Sequence, residues 1–318
     1  MYILGFDIGG TKCAVTTAKW DGEQIILLKK QKVKTNHNIS ADKMLEELIL
    51  LADTILEKTP DCIGISCGGP LDSEKGIIIN PPNLPQWKNV HIVSKLQNHY
   101  GVPVHLQNDA NACALAEWKF GCGVGYKNIV FLTFGTGLGA GLIFDGKLYN
   151  GTNGNAGEIG HIRMEKEGPV GFGKAGSLEG FCSGGGIAQL GCHKALEAMD
   201  RGVTPAYWRE GENNITAESV AKAALSGDKT ALEVYRISGE YLGKGLSLLI
   251  DILNPEVIII GSIFTRNHNL LWDSAKAQIK KEALENSASC CKILPSVLGE
   301  KIGDYAAIAT ALSGVDFK

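Results

Sequence analysis

A chain of 318 residues has room for two domains, each with a sizeable core. Hydrophobic residues make up 44% and charged residues 20%, the balance of an ordinary soluble globular protein. The net charge of −3 excludes wholesale nucleic-acid binding, which needs a basic face, so the basic stretch from Lys29 to Lys34 reads as a solvated strand or loop.

No window approaches the roughly 20 apolar residues of a membrane-crossing helix, and no charged segment followed by an apolar one marks a signal peptide. Nine cysteines, an odd number without framework spacing, point to free thiols in a reducing cytoplasm.

In chain order, Ile3 to Phe6 and Cys13 to Ala18 read as two buried strands joined by a turn at Gly9-Gly10, too short to hold a helix. Gln24 to Val33 adds strand material. Met44, Leu45, Leu48, Leu51 and Ile55 recur at helical spacing between Ala41 and Lys58, after the N-cap candidate Ser40. Cys62 to Cys67 is a short strand ending in Gly68-Gly69. Val102 to Leu106 is another, and it runs into a helix from Asn108 to Phe120.

After Tyr126, IVFLTFGTGLGAGLIF repeats the opening design of strand, glycine-rich tip and strand, with Phe134 standing where Phe6 stood. Internal similarity at that distance predicts two related domains, with a groove between the halves. The glycine-dense region from Gly151 to Gly186 reads as ordered functional loops. A long helix from Ala231 to Leu253, a buried strand from Val257 to Ile260 running into Gly261, an amphipathic helix from Leu270 to Leu284 and a last helix near Asp304 to Leu312 complete an α/β pattern.

Two motifs mislead. Gly135, Gly137 and Ala140 match a loose dinucleotide fingerprint, which would make the chain a nicotinamide-dependent oxidoreductase, but the required helix is replaced by a second strand with an Asp145-Gly146 hairpin turn. Gly168 to Lys174 spells most of a Walker A loop, yet Ala175 stands where Ser or Thr is needed, and a charged stretch precedes it.

The glycine tips carry the chemistry. Backbone N–H groups at such turns approach phosphate closely because no Cβ intervenes. Two tips, with hydroxyls at Thr11 and Thr136, can grip a polyphosphate. Asp7, two residues before the first tip, would repel phosphate unless a cation intervenes, so it is expected to steer a hydrated Mg²⁺. Asn108 and Asp109 begin a helix, where one of them can be no more than its N-cap. An ionised carboxylate held there is also what a general base for an alcohol requires, and the helix terminus favours ionisation.

Seven stretches then occur in one order: DIGGTK at Asp7 to Lys12, NPPNLPQW at Asn80 to Trp87, NDANACALAE at Asn108 to Glu117, GTGLGAG at Gly135 to Gly141, GNAGEIGH at Gly154 to His161, SLEGFCSG at Ser177 to Gly184, and IIIGS at Ile258 to Ser262. With these the chain resembles the ROK family of sugar kinases and repressors over essentially its whole length. The resemblance implies a two-domain actin-like ATPase fold (ribonuclease H-like) and ATP-dependent phosphorylation of a hexose or N-acetylhexosamine. It implies domains at 1–117 and 118–302, with a helix at 303–318 packing back on the first.

By the same resemblance Asp109 is the catalytic base, and Asn83 and Asn108 hold sugar hydroxyls. Glu158, His161 and Glu179 complete the sugar site, backed by Gly68 and Gly69. The phosphates lie at Gly9, Gly10, Thr11 and Lys12 and at Gly135, Thr136, Gly137 and Gly139, with Gly261 near the adenosine. A homodimer follows from family habit, with no nucleic-acid or membrane partner. The alternative within the family is a non-catalytic, sugar-responsive regulator, but a first strand at Tyr2 or Ile3 leaves no room here for a preceding helix-turn-helix.

One departure stands out. Many family members carry zinc-binding cysteines where this chain has Val170, Phe172 and Ser177, and neither a hydrocarbon nor an aromatic ring coordinates zinc. No zinc is expected, and His161 serves the sugar alone. Burial of Val170 and Phe172 is expected to hold the 168–179 loop instead, less firmly than a metal would, leaving it mobile until sugar binds.

Overall fold

A computed structural model describes residues 1–208 and 214–313. The chain begins with strands β1 (Tyr2–Ile8), β2 (Lys12–Trp20) and β3 (Ile25–Lys34), then helix α1 (Ala41–Ile55). Next come β4 (Cys62–Cys67), the short β5 (Leu71–Asp72) and β6 (Ile77–Ile78), α2 (Ile92–Tyr100), β7 (Val104–Asn108) and α3 (Asp109–Phe120). There follow β8 (Ile129–Phe134), β9 (Leu138–Phe144), β10 (Lys147–Leu148), β11 (Val170–Gly171) and β12 (Lys174–Ala175). Helices α4 (Leu178–Phe181), α5 (Gly184–Met199), α6 (Ala217–Leu225) and α7 (Lys229–Leu253) lead to β13 (Val257–Ile260). Last are α8 (Ile263–Arg266), α9 (His268–Glu282), α10 (Glu285–Cys290), β14 (Lys292–Pro295) and α11 (Ile302–Ala311).

These elements form two compact units. One comprises residues 1–125, 141–156 and 297–318, and the other residues 126–140 and 157–296. The end of the expected 303–318 helix, residues 314–318, lies outside the described residues.

In the first unit the sheet order is β3-β2-β1-β4-β7, with β1, β2 and β3 antiparallel and β1, β4 and β7 parallel. Successive side chains of a strand point to opposite faces, and β1 uses both. Leu4, Phe6 and Ile8 join Ile63, Ile65 and Cys67 of β4 in a core with Met44, Leu45 and Leu48 of α1 and Ile92 and Leu96 of α2. The other face carries Ile3, Gly5 and Asp7 on β1, with Cys62, Gly64 and Ser66 on β4. It meets α11, whose Ile308 and Ala311, with Leu312 just after the helix, pack on Ile3 and Cys62. Glycine is needed there: a Cβ on Gly5 would lie 2.9 Å from that of Ala307, and one on Gly64 would run into the Ala307 carbonyl and the Ala311 backbone.

In the second unit, β9, β8, β13 and β14 lie in that order, with β13 parallel to β8 and β14. β13 is Val-Ile-Ile-Ile and buried throughout, as a central parallel strand covered on both faces should be. Its helices pack around the 25-residue α7. β9 leaves this unit after Ala140, and its remainder with β10 belongs to the first.

Boundaries shift from the sequence reading where local chemistry dictates. α1 stops at Ile55, three residues short of Lys58, because Leu56 turns extended ahead of Pro60. β7 starts at Val104, since Pro103 has no N–H to give the ladder and offers only its carbonyl, to Ile63. The fingerprint at Gly135 leads into strand β9, and the Walker-like stretch spans the β11–β12 hairpin, so neither motif has the helix it needs. No helix of the described residues is long and apolar enough to cross a membrane.

Gly64→Ala should force α11 off the sheet and lower stability by on the order of 1–3 kcal/mol, as overpacking does. A denaturant midpoint equal to the wild type's would show that α11 does not need this close approach.

Candidate active site

The carboxyl ends of β1, β4 and β7 form a row in which Ile8 is in register with Cys67 and Cys67 with Asn108. Ligands of parallel sheets bind beyond such ends, and the expected site residues of the first unit leave the sheet here. The turn after β1 is closed by the Gly9 N–H donating to the Lys12 carbonyl at 3.2 Å. The Thr35 hydroxyl donates to the Gly9 carbonyl at 2.6 Å, and the Thr35 N–H to the Thr11 carbonyl at 3.0 Å. A Cβ on Gly10 would lie 2.6 Å from Cβ of Asn83, so the loop bearing Asn83 rests directly on this turn. Thr11, Lys12 and Asn83 are exposed, and Gly68 and Gly69 follow β4 at the same edge.

Asn108 caps α3: its side-chain oxygen accepts the Asn111 N–H at 2.8 Å. Asp109, the first helical residue, accepts the Ala110 N–H at 2.9 Å. Lost solvation raises the Asp109 carboxyl above its ordinary value, and the N–H groups of Ala110 and of Asp109 itself oppose the rise. The residue is exposed, so water limits that rise.

Asp7 is more perturbed. Lost solvation, then the negative charge of Asp304, push its pKa up to about 6; Asp109 adds to the rise, while Lys30 and Lys12 oppose it. Asp304, only 3% exposed, accepts the Thr16 hydroxyl at 3.1 Å and pairs with the Lys30 ammonium. Thr16 and Lys30 stand opposite each other on β2 and β3. A Cβ on Gly303 would collide with the Asp7 carboxyl, so the first turn of α11 presses against it. The sequence reading assigned no role to Gly303, Asp304 or Lys30; no local signal joins residues so far apart.

This donor set suits Mg²⁺, which takes one or two protein carboxylates and keeps water and phosphate oxygens in its other positions. Asp7 supplies such a carboxylate, and an adjacent cation would favour its charged form against the lost solvation and the Asp304 charge that raise its pKa. Cys67 and Cys113, whose thiols feel the same acids, are pushed up mainly by burial and supply no thiolate nucleophile.

In the second unit the 135–137 turn is closed by the Gly135 N–H donating to the Gly137 carbonyl at 3.0 Å. The Leu138 N–H donates to Oε2 of Glu179 at 2.9 Å. The Gly184 N–H, at the start of α5, donates to the Gly135 carbonyl at 2.8 Å. The amino end of a 16-residue helix therefore adjoins the turn and favours an anion there. The signal for it was Ser183 before three glycines, the pattern of an N-cap. Gly261 ends β13, and Ser262 beside it has φ 57°, its hydroxyl 3.4 Å from where a Cβ of Gly135 would stand.

Glu158 precedes a short turn at Ile159–His161, and His161 ends it. Gly160 in that turn lies against the Leu138 carbonyl, and its Cβ would be 3.3 Å from that of Glu179. Glu158, His161 and Glu179 are thus gathered around the start of β9.

The expected burial of Val170 and Phe172 is corrected: they are 46% and 69% exposed. They lie in the β11–β12 hairpin, whose tip places Phe172 at φ 44° and turns its side chain outward. Polar contacts hold the hairpin. The Gln189 amide donates to the Val170 carbonyl and accepts its N–H, both at 2.9 Å, and Arg163 donates to the Ala175 carbonyl at 2.7 Å. The buried ring here is Phe181, stacked on Tyr241 at 3.6 Å. Among the described residues no group of three or more His, Cys, Asp or Glu is arranged to hold a metal.

The model of the ROK family matches residues 3–313. A glucokinase of Halalkalibacterium halodurans is 32% identical over 95% of this chain and 92% of its own. A xylose repressor of Caldicellulosiruptor bescii is 33% identical over 98% of this chain and 78% of its own. Among solved structures, a ROK family glucokinase from Streptomyces griseus in complex with glucose and AMPPNP superposes with a TM-score of 0.81 at 27% identity, covering 98% of this chain and 99% of that one. The actin-like ATPase fold is thereby established.

Lys30→Met should leave the buried Asp304 carboxylate without its cation and lower stability by on the order of 3 kcal/mol. Adding Asp304→Asn should recover part of that loss in the same denaturant titration. A single variant as stable as the wild type would show that the pair carries no net weight.

Proposed function

Because the chain belongs to the ROK family, we propose that it transfers the γ-phosphoryl group of ATP to a hydroxyl of a hexose or N-acetylhexosamine. The observation that carries the reading is Asp109: an exposed carboxylate at the end of β7, in the same row of strand ends as the first glycine turn. An acid so fixed can take the proton of a sugar hydroxyl as it attacks phosphorus. Phosphoryl transfer asks mainly for positioning and charge neutralisation, so no covalent intermediate is needed.

In this reading Asn83, Asn108, Glu158, His161 and Glu179 orient the sugar, with Gly68 and Gly69 behind it. The turns at Gly9, Gly10, Thr11 and Lys12 and at Gly135, Thr136, Gly137 and Gly139 cradle the phosphates, the N–H groups of Gly9 and Gly135 closing them. The hydroxyls of Thr11 and Thr136 and the Lys12 ammonium face phosphate oxygens, and Gly261 lies by the adenosine. Asp7 holds Mg²⁺ through water, and bound Mg²⁺ neutralises phosphate charge. A homodimer in a reducing cytoplasm belongs to the same reading; all nine cysteines are free thiols.

The similarity to a xylose repressor favours a second reading, a sugar-responsive regulator without catalysis. Binding alone needs the sugar contacts but has no use for an acid poised to accept a proton, so the kinase reading is preferred. ADP release from a panel of free sugars with ATP decides between them, and the same panel names the sugar.

Asp109→Asn should fold and bind sugar with modest change yet lose about 10²-fold or more in turnover, the scale of a general base. Near wild-type kcat would remove Asp109 from the mechanism.

Asp7→Ala should weaken Mg²⁺ dependence and lower kcat with little effect on sugar affinity. Unchanged activity across a Mg²⁺ titration would refute the metal role.

A further inference from the structure

We propose that Phe172 is a sugar-selecting residue, its ring forming an apolar wall beside His161 against which the bound sugar packs. This rests on the sugar-kinase reading and adds to it a contact that the polar residues cannot make. Glu158, His161 and Glu179 offer partners to hydroxyls only, whereas the ring carbons of a hexose present C–H faces that need an apolar partner.

Turn chemistry does not account for a phenylalanine here. With Gly171 paired to Lys174, the hairpin loop is the two residues Phe172 and Gly173, at φ 44° and 74°. Two successive positive φ values define the kind of turn that favours Asn-Gly or Gly-Gly. A Cβ there is strained, and strain of this kind clusters at ligand-binding sites. Folding does not account for it either, since the ring is 69% exposed.

The ring's setting is firm and specific. The Gln189 amide grips Val170 from both sides of its peptide backbone. Gly171 lies so close to α4 that its Cβ would sit 2.7 Å from that of Glu179. Lys174 donates to the His161 carbonyl at 2.8 Å. Held between these two residues, Phe172 meets the His161 imidazole edge to face, centroids 6.2 Å apart. An exposed aromatic ring fixed beside proposed sugar ligands gives hydroxyl recognition its apolar counterpart.

Steady-state kinetics of the wild type, Phe172→Gly and Phe172→Tyr over the sugar panel test this. Glycine is at home at positive φ, so Phe172→Gly should melt no lower than the wild type. Its KM for sugar should rise about two- to tenfold, the range of an aromatic contact, and unequally across the panel. Its kcat and KM for ATP should stay within about twofold, and Phe172→Tyr should behave as the wild type. An active wild type with Phe172→Gly unchanged in KM for every sugar overturns the proposal, as does a halved mass by light scattering with unchanged KM, which would make Phe172 an interface residue. A wild type that phosphorylates no sugar refutes the kinase reading instead. Calorimetric titration of sugar into the same three proteins then decides the role of Phe172, with equal affinities overturning it.

Discussion

The closeness of α11 to the first sheet governs most of what surrounds it. Gly5 and Gly64 leave a strip without side chains, and the alanine face of α11 sinks into it. At that depth the helix carries Gly303 against the Asp7 carboxyl and Asp304 into the interior. A buried acid beside a second acid is tolerable only with a cation and donors at hand, and Lys30 and Thr16 provide them from neighbouring strands. Burial raises the pKa of Asp7, and the Asp304 charge brought in by α11 raises it further. The same arrangement makes a nearby divalent cation favourable, because it relieves the repulsion that packing creates.

The two glycine turns solve one problem by different means. Each must hold a loop of N–H donors open without side chains to prop it. The first is tied by Thr35 through its hydroxyl and its N–H, and by the Asn83 loop resting on Gly10. The second uses a carboxylate, Glu179 on Leu138, and the amino end of α5 on Gly135. The hairpin repeat was visible in the sequence because glycine tips between apolar runs are a local pattern. The devices that fix the tips are not local.

That difference separates what could be read from the chain from what could not. The strands and main helices follow from spacing, and Ser40 and Asn108 cap helices as their residue types predict. The pairing of Lys30 with Asp304 joins residues 274 apart, and each alone reads as an ordinary surface charge. Val170 and Phe172 misled for another reason. Hydrophobicity alone predicts burial, but the backbone at 172–173 adopts a two-residue hairpin turn, and turn geometry decides where the side chain points. Gln189, a polar residue on α5, took over the anchoring that the apolar residues were expected to provide.

Glu179 combines an observed structural role with the proposed sugar-binding one. One of its oxygens is engaged by the Leu138 N–H, which fixes the turn proposed for phosphate. Its Cβ bears on Gly160, between Glu158 and His161, and on Gly171, just before Phe172. A carboxylate has two oxygens and about four acceptor directions, so holding one N–H leaves capacity for a sugar hydroxyl. The glycines at 160 and 171 are what allow three loops to converge on this one side chain, since a Cβ at either would push its loop away. Turn, proposed sugar ligands and aromatic tip are then set by the packing around a single residue, and the geometry of each constrains the others.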